Sequence, residues 1–174
     1  MRARPLVGAR LRRARIGDAP AIAALVREAY GHWIPLIGRE PLPMKVDYHT
    51  AICTHRFDLM VLNGRLAGLV ETRAKGGVLV VINVAVAPEL QGRGVGRALL
   101  AHAQDLAAAC GARRVRLFTN GRFDRNIGIY RRAGYRITRR ERFGGGLVVH
   151  MTRPTIGAGR PRGRPAAAGS AGWR

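Results

Sequence analysis

Cysteine is almost absent from the chain. Cys53 and Cys110 stand far apart and form no CxxC pair, which excludes a disulfide framework and a thiolate zinc site. His49, His55, His102 and His150 show no metal-ligand spacing, so no metal is expected. No apolar run approaches the roughly 20 residues of a membrane-spanning helix. The Arg-rich start, MRARPLVGARLRRARIGD, also lacks the continuous apolar segment of a signal peptide. A soluble protein of a reducing cytoplasm, without a membrane partner, is the expectation.

Acidic residues are scarce as well. Ten stand against 31 basic ones, a formal net charge of +21, and arginine outnumbers lysine 29 to 2. A field of that sign favours acidic partners such as nucleic acid, an anionic cofactor or an acidic protein. Codon usage alone also enriches Arg, Ala and Gly together, so composition selects no partner. Residues 1–9 and 153–174 hold seven arginines and no acid, leaving 24 basic and 10 acidic residues between them. Most of the excess therefore belongs to the folded part. A chain of 174 residues suits one domain with a sizeable core, here 10–152. A basic tail, 1–9, precedes it. The stretch 153–174, rich in Pro, Gly, Ala and Arg, has almost nothing to bury and is expected to be disordered.

Apolar periodicity and turn residues order the domain. Leu11 to Ile16 reads as a first strand. Asp18 then caps a helix from Ala19 to about Tyr30, with Pro20 in its first turn and Ile22, Leu25, Val26 and Ala29 on one face. Three prolines make GHWIPLIGREPLP a looser segment, and a second helix is expected from Met44 to about His55. Asn63-Gly64, between LMVL and RLAGLV, is a two-residue hairpin signal because both turn positions need positive φ. Lys75 to Gly77 marks the next turn. The apolar run Val78 to Val86 reads as a strand buried on both faces near the middle of a sheet. Leu99, Ala103, Leu106 and Cys110 follow helical spacing up to Gly111. Arg113 to Thr119 resumes a strand, Asp124 to Ala133 forms a short helix ended by Gly134, and a last hairpin turns at Gly144 to Gly146. Strands on either side of the turn and helix after Val86 make a βαβ unit, so those two strands run parallel. The fold class is mixed α/β (α+β).

That turn, VAVAPELQGRGVGRALL over 84–100, sets Gly92, Gly94 and Gly96 at alternate positions with Arg93 and Arg97 among them. A helix that starts there leaves its first N–H groups without partners and carries partial positive charge at that end. Glycine lets such a backbone approach phosphate oxygens closely. The nucleoside-triphosphate loop is excluded, because Gly96 is followed by Arg97 and Ala98 instead of Lys and Ser or Thr. The dinucleotide fingerprint is excluded too. Its third small residue falls on Leu99 or Arg97, and VRLFTN closes without an acid. A tight turn that needs glycine only for its dihedrals is the competing reading.

Gln91, Gly94 and Gly96 match QxxGxG and, after the strand VINVAV, resemble the pyrophosphate loop of the GNAT N-acetyltransferases. LRRARIGDAPAIAALVREAY is similar to that family's opening strand and helix, and RVRLFTNGRFDRNIGIYRRAGYRI to its closing block, so the resemblance spans roughly 10–152. It implies a single domain whose central mixed sheet is mostly antiparallel, with one splayed parallel strand pair and about four flanking helices. It implies acetyl-CoA as acetyl donor, with its pyrophosphate on Gln91, Gly92, Arg93, Gly94, Val95, Gly96 and Arg97 and its pantetheine arm on the backbone of Val84, Ala85 and Val86. Asn126 would contact the cofactor, and Tyr130 would give a proton to the departing thiolate. A phenol of pKa about 10 keeps that proton at neutral pH. Many relatives carry a Glu before the loop, where this chain reads Val81, Ile82, Asn83. Asn83 acting through a water, or Glu71 on the preceding hairpin, are the candidates for a base, and an amine that arrives neutral needs none. The acceptor site of the family falls in the variable segment 32–48, where His32, Trp33, Asp47 and Tyr48 are candidates to line it.

The expected activity is direct transfer from acetyl-CoA to a primary amine in a ternary complex, by a monomer or homodimer. Like charge should repel polyamines and aminoglycosides, leaving amino acids, peptides or protein N-termini as small-molecule or peptide acceptors. A basic nucleic-acid-binding module is the rival from another class, disfavoured because neither a recognition helix nor an exposed aromatic platform is evident. A non-catalytic acetyl-CoA sensor is the third reading.

Overall fold

Three tight turns and three longer connections that carry the helices build a seven-stranded sheet. The computed structural model describes residues 6–156. Its elements are β1 (Ala9–Arg13), α1 (Ala19–Gly31), α2 (Ile34–Ile37), α3 (Tyr48–Thr54), β2 (Arg56–Leu62), β3 (Arg65–Lys75), β4 (Val78–Val86), α4 (Val95–Ala109), β5 (Arg114–Asn120), α5 (Asp124–Arg132), β6 (Arg136–Phe143) and β7 (Gly146–Pro154). The strand order is β1-β2-β3-β4-β5-β7-β6. Neighbours are antiparallel except β4 and β5, which are parallel across the α4 crossover. Asn63-Gly64, Gly76-Gly77 and Gly144-Gly145 take positive φ at both positions, the backbone that matches the twist of the strands it joins. The mixed α/β fold read from the sequence is the fold observed. No described helix is long and apolar enough to cross a membrane.

Alternation along the strands sends side chains into two apolar layers. On one face α4 packs Val95, Leu99, Leu100, Ala103 and Ala107 against Val70, Leu79, Val81, Val115, Leu117 and Met151. On the other, α1 and α3 bury Ile22, Leu25, Val26, Tyr48 and Ala51 on Phe57, Leu59, Leu69 and Ala85. Each fully buried Leu, Ile or Val among them stabilises the fold by roughly 1.5–3 kcal/mol. A bulge at Ile82, between the pairs Thr72↔Val81 and Glu71↔Asn83, reverses the alternation within β4. Leu79 and Val81 face α4, Val84 and Val86 lean on that same layer, and Ala85 joins the layer under α1.

Several boundaries differ from the sequence reading, each for a local reason. The first strand is Ala9–Arg13 and not Leu11 to Ile16, because Ile16–Asp18 forms a 3-10 turn. Asp18 does not cap α1 with its side chain. Its carboxylate accepts from Arg15 N–H at 2.7 Å, closing that 3-10 turn, and pairs with both terminal nitrogens of Arg12 at 2.7 and 2.8 Å. The helix expected from Met44 to His55 is broken by extended Val46, with a 3-10 turn at Leu42–Lys45 before it. Asp47 then accepts from His49 N–H at 3.0 Å and starts α3. In β4, full burial alternates with partial burial, so the strand is closed on one side only along Val78 to Val81. The strands reach Ala9 and Pro154, and Thr155 N–H donates to Arg113 O at 3.0 Å. Of the tails expected at 1–9 and 153–174, residues 1–5 and 157–174 lie outside the described residues.

One buried charge ties β2 to α4. The Asp58 side chain is 4% exposed and receives Arg56 Nε at 2.7 Å and Nη2 at 2.9 Å. His102 Nε2 of α4 stands 3.6 Å away, beyond hydrogen-bond reach. Burial alone would raise the Asp58 carboxyl, but His102 and Arg56 more than offset it and bring it down to about 2. A depressed carboxyl contributes stability above its unfolded value, and that contribution fades as pH falls through the folded one. Asp58→Asn should therefore lower urea stability at pH 7 by about 2 kcal/mol. The gap to the parent protein should narrow between about pH 4 and 2, and a gap of constant size across that window would contradict the assignment.

Candidate functional site

The parallel pairing of β4 and β5 covers only Val78↔Arg114 to Val81↔Leu117. From Phe118 onward β5 stays with β7, while β4 turns through the Ile82 bulge and keeps pairing with β3 as far as Val86. The two strands part, and a cleft of about 670 Å³ opens between them. Val84, Ala85 and Val86 form its edge, the α4 N-terminus one end, and α5 with the end of α1 its walls. Val84 O accepts a long hydrogen bond from Tyr30 Oη at 3.4 Å, and Val86 O one from Gln91 Nε2 at 3.3 Å.

The glycines of the turn divide the work. Gly92 (φ 77°) and Gly94 (φ 93°) sit in the left-handed region, where a Cβ would meet no atom but the backbone itself disfavours other residues. Gly96 is helical, and a Cβ there would stand an ordinary 3.5 Å from Val86 Cγ2. Its lack of a side chain keeps the cleft open. Gly94 is the N-cap without any side-chain cap, and the first α-helical bond runs from Ala98 N–H to Gly94 O at 2.9 Å. The opening turn thus offers N–H groups and partial positive charge to the cleft.

The opposite wall holds the phenols. Tyr130 of α5 lines the cleft, its ring 6.3 Å edge-on from Tyr135. Burial, with the neighbouring Tyr135, pushes its hydroxyl up to about 12. Tyr30 lines the cleft from the end of α1 and donates to Asn83 Oδ1 at 2.7 Å. Burial again dominates, with Tyr130, Tyr48 and Glu71 nearby, and raises Tyr30 well above the ordinary phenol value. Asn83 Nδ2 donates in turn to Tyr48 Oη at 3.4 Å, whose own proton goes to Pro43 O at 2.7 Å.

Of the loop and strand residues singled out in the sequence, Val84, Ala85, Val86, Gln91, Gly92, Gly94, Gly96 and Arg97 line the cleft, together with Asn126 and Tyr130. Val95 points into the core, 1% exposed. Arg93 is exposed and outside the lining. On the acceptor side His32 and Trp33 line the cleft, Trp33 stacked on Phe123 at 4.0 Å. Asp47 is occupied in capping α3, also accepting Thr50 Oγ1 at 2.6 Å. Tyr48 is buried edge-on against Phe57. Asn83 and Glu71 lie opposite one another across β3 and β4, both buried, with Tyr30 between Asn83 and the cleft. Glu71 holds His55 Nδ1 at 2.6 Å. Burial raises the Glu71 carboxyl and the His55 contact opposes that rise.

Sequence reasoning missed Tyr30, Arg125 and Arg132, all in the lining. Tyr30 continues the Ile22 and Val26 stripe by one more helical turn, so a phenol was due to enter the buried side and to seek a partner there. Arg125 had no such signal among so many arginines. It bears on His32, whose pKa is lowered by burial and by that charge.

The family model described as acetyltransferase (GNAT) family matches residues 22–135. The chain belongs to this family. It is an acyltransferase, and the family's acetyl donor is acetyl-CoA. The residues present fit such a donor: open helix N–H groups and Arg97 for anionic oxygens, an unpaired strand edge for an extended arm, and apolar Leu100 and Ile129 beside it. Among solved structures, the PaiA N-acetyltransferase of Thermoplasma acidophilum in complex with coenzyme A is 16% identical, with TM-score 0.71 over 82% of this chain and 97% of that one. The ribosomal-protein-S18-alanine N-acetyltransferase of Escherichia coli is 19% identical, TM-score 0.70, over 84% and 94%. Nourseothricin acetyltransferase is 25% identical, TM-score 0.68, over 86% and 100%. No curated protein sequence matches the chain significantly.

Gly96→Val separates the two uses of glycine, since its backbone tolerates a side chain. We expect the variant to fold with its melting temperature little changed and to bind coenzyme A about tenfold more weakly by calorimetry, a loss of about 1.4 kcal/mol. Unaltered affinity would remove the Gly96 rim from the donor site.

Proposed function

We propose that the chain transfers the acetyl group of acetyl-CoA directly to a primary amine in a ternary complex, with Tyr130 as the donor to the departing sulfur. The observation that carries the reading is the placement of Tyr130 on the same cleft as the splayed edge of β4 and the open N-terminus of α4. Bound acetyl-CoA supplies a thioester whose C–S bond breaks as the amine nitrogen makes the new C–N bond. Tyr130 is protonated throughout the working range, held by burial at about 12. It donates a hydrogen bond as charge grows on sulfur. Full transfer to a thiolate of ordinary pKa near 8.5 runs uphill by about 3.5 pKa units, so it is balanced by the proton that the acylated nitrogen loses. Asn126, one helical turn before Tyr130, positions the donor on the same wall.

Tyr30 links the cleft to Asn83 and, across the strands, to Glu71 and His55. Glu71 and Asn83 reach the acceptor nitrogen only through that phenol or through water. An amine that arrives neutral reduces the need for them, and positive charge at Arg125 and Arg132 lowers an amine's pKa. His32 and Trp33 line the acceptor end of the cleft.

The similar structures do not choose the acceptor, because one is named for a protein alanine and another for nourseothricin. The charge does. At +21 overall, with Arg97, Arg125 and Arg132 around the cleft, polycationic amines are repelled, and amino acids, peptides or protein N-termini are the acceptors proposed.

Tyr130→Phe should lower kcat about a hundredfold while KM for acetyl-CoA stays within about threefold, measured by release of free thiol. In the parent enzyme no alkaline limb from Tyr130 is due below about pH 11, since its pKa is about 12. A limb at pH 8–10 that the Phe variant abolishes would contradict the assignment. Across an acceptor panel, kcat/KM for neutral peptides should exceed that for spermine, and the reverse order would overturn the acceptor class.

A further inference from the structure

The layer under α1 and α3 draws on β2, β3 and β4 and takes no residue from β5, β6 or β7. Beyond it the sheet lies open on that face. Cross-strand register aligns two rows there. One is Arg73–Val80–Arg116–Thr152–Arg136, across β3, β4, β5, β7 and β6, and the other is Lys75–Val78–Arg114–Pro154. The five cationic residues are all exposed. Among the described residues none of them has an ion-pair partner. Neighbouring strands lie about 4.8 Å apart, so the arginines of the longer row recur every ~9.6 Å across the sheet, with shorter side chains between them. The next row, ~6.8 Å along the strands, is Phe118–His150–Arg139. Phe118 is 44% exposed, with its ring centroid 6.3 Å from that of His150. Glu141, the single acid on β6, pairs with Arg139 and His150 and leaves the other cations of the face alone. A shallow cavity of about 390 Å³ between Arg113, Arg114, Thr152 and Pro154 dents the same edge.

We propose that this open face docks single-stranded nucleic acid, apart from the acetyl-transfer cleft. Charge complementarity excludes the two occupants nearest to hand. The chain after Ile156 carries four arginines and no acid, so it is repelled, and a second copy of the same face is repelled equally. Arginine forks match phosphate oxygens in pairs. The exposed Phe118 beside His150 supplies a flat surface on which a base stacks, a feature that an acidic protein surface would not require. The sequence alone hid this platform, because Phe118 alternates with buried residues inside a strand and only the register brings His150 and the arginines around it.

The test is fluorescence anisotropy with a labelled oligouridylate about 15 nucleotides long, using the full chain over a range of salt. Each phosphate contact to a single strand contributes about 0.7 to the slope of log K against log salt. The triple variant Arg73→Ala, Arg116→Ala, Arg136→Ala should lower that slope by about 2. A charge-matched control, Arg27→Ala, Arg65→Ala, Arg131→Ala, should leave it within about 0.5. If the triple variant misfolds, each single substitution should lower the slope by about 0.7. Phe118→Ala should weaken binding about tenfold. Acetyl transfer to a peptide should be unchanged in all of these variants. Equal losses in the two triple variants, no effect of Phe118→Ala, or displacement of the oligonucleotide by polyglutamate as readily as by unlabelled oligouridylate would each overturn the proposal.

Discussion

Four residue pairs, Val78↔Arg114 to Val81↔Leu117, hold β4 to β5 before the pairing ends at the Ile82 bulge. A strand edge left unpaired inside a folded chain is costly unless its N–H and C=O groups find partners. Here Tyr30 and Gln91 reach the carbonyls of Val84 and Val86 at 3.4 and 3.3 Å, distances at which hydrogen bonds are weak and easily exchanged for those of a ligand. The gap does not close because each strand is anchored elsewhere. β5 is paired with β7 along its whole length, and β4 with β3 to its end. The helices of both layers pack on those anchored parts, so the opening belongs to the topology and needs no ligand to prop it.

The same bulge decides what lies behind the cleft. By reversing the alternation it turns Asn83 toward α1, where it meets Tyr30 and Tyr48, and it sets Asn83 opposite Glu71. Burial raises the phenols Tyr30 and Tyr48 there and Tyr130 on α5, so none of the three is a phenolate at neutral pH. Glu71 beside them is itself raised by burial and is held by His55. Among the described residues, Tyr30 both hydrogen-bonds Asn83 and lines the cleft, which joins that pair's neighbourhood to it.

Legibility followed the kind of physics involved. The glycine turn, the α4 stripe and the hairpin at Asn63-Gly64 are local, because φ preference and helical period reside in consecutive residues, and they were readable. Asp18 and Asp47 show the limit. Both are cap-forming types near a helix start, yet only Asp47 caps one, because Arg12 and Arg15 claim the Asp18 carboxylate first. The cleft wall was half readable: Tyr130 and Asn126 stood within a motif, whereas Tyr30 and Arg125 reach the cleft through tertiary placement. The arginine rows were not readable at all. Period two gives the face on which Arg114 and Arg116 lie, but which strand stands beside them, and at what register, is not written in any one segment.

The surplus of positive charge, diffuse in the composition, is concentrated by this topology. The helix layer takes no residue from β5, β6 or β7, and the Arg73, Arg116 and Arg136 row, which begins at the far end of β3, is exposed and among the described residues has no ion-paired acid. Unlike charges merely scattered on a surface, cations repeating at ~9.6 Å across a sheet sit close to the screening length of about 8 Å at physiological salt, so their mutual repulsion is only partly relieved by mobile ions. Valine and threonine between them add spacing but no counter-charge. The folded chain thus bears a standing electrostatic cost on one face, and a partner with regularly spaced negative charge relieves it more fully than dissolved anions can.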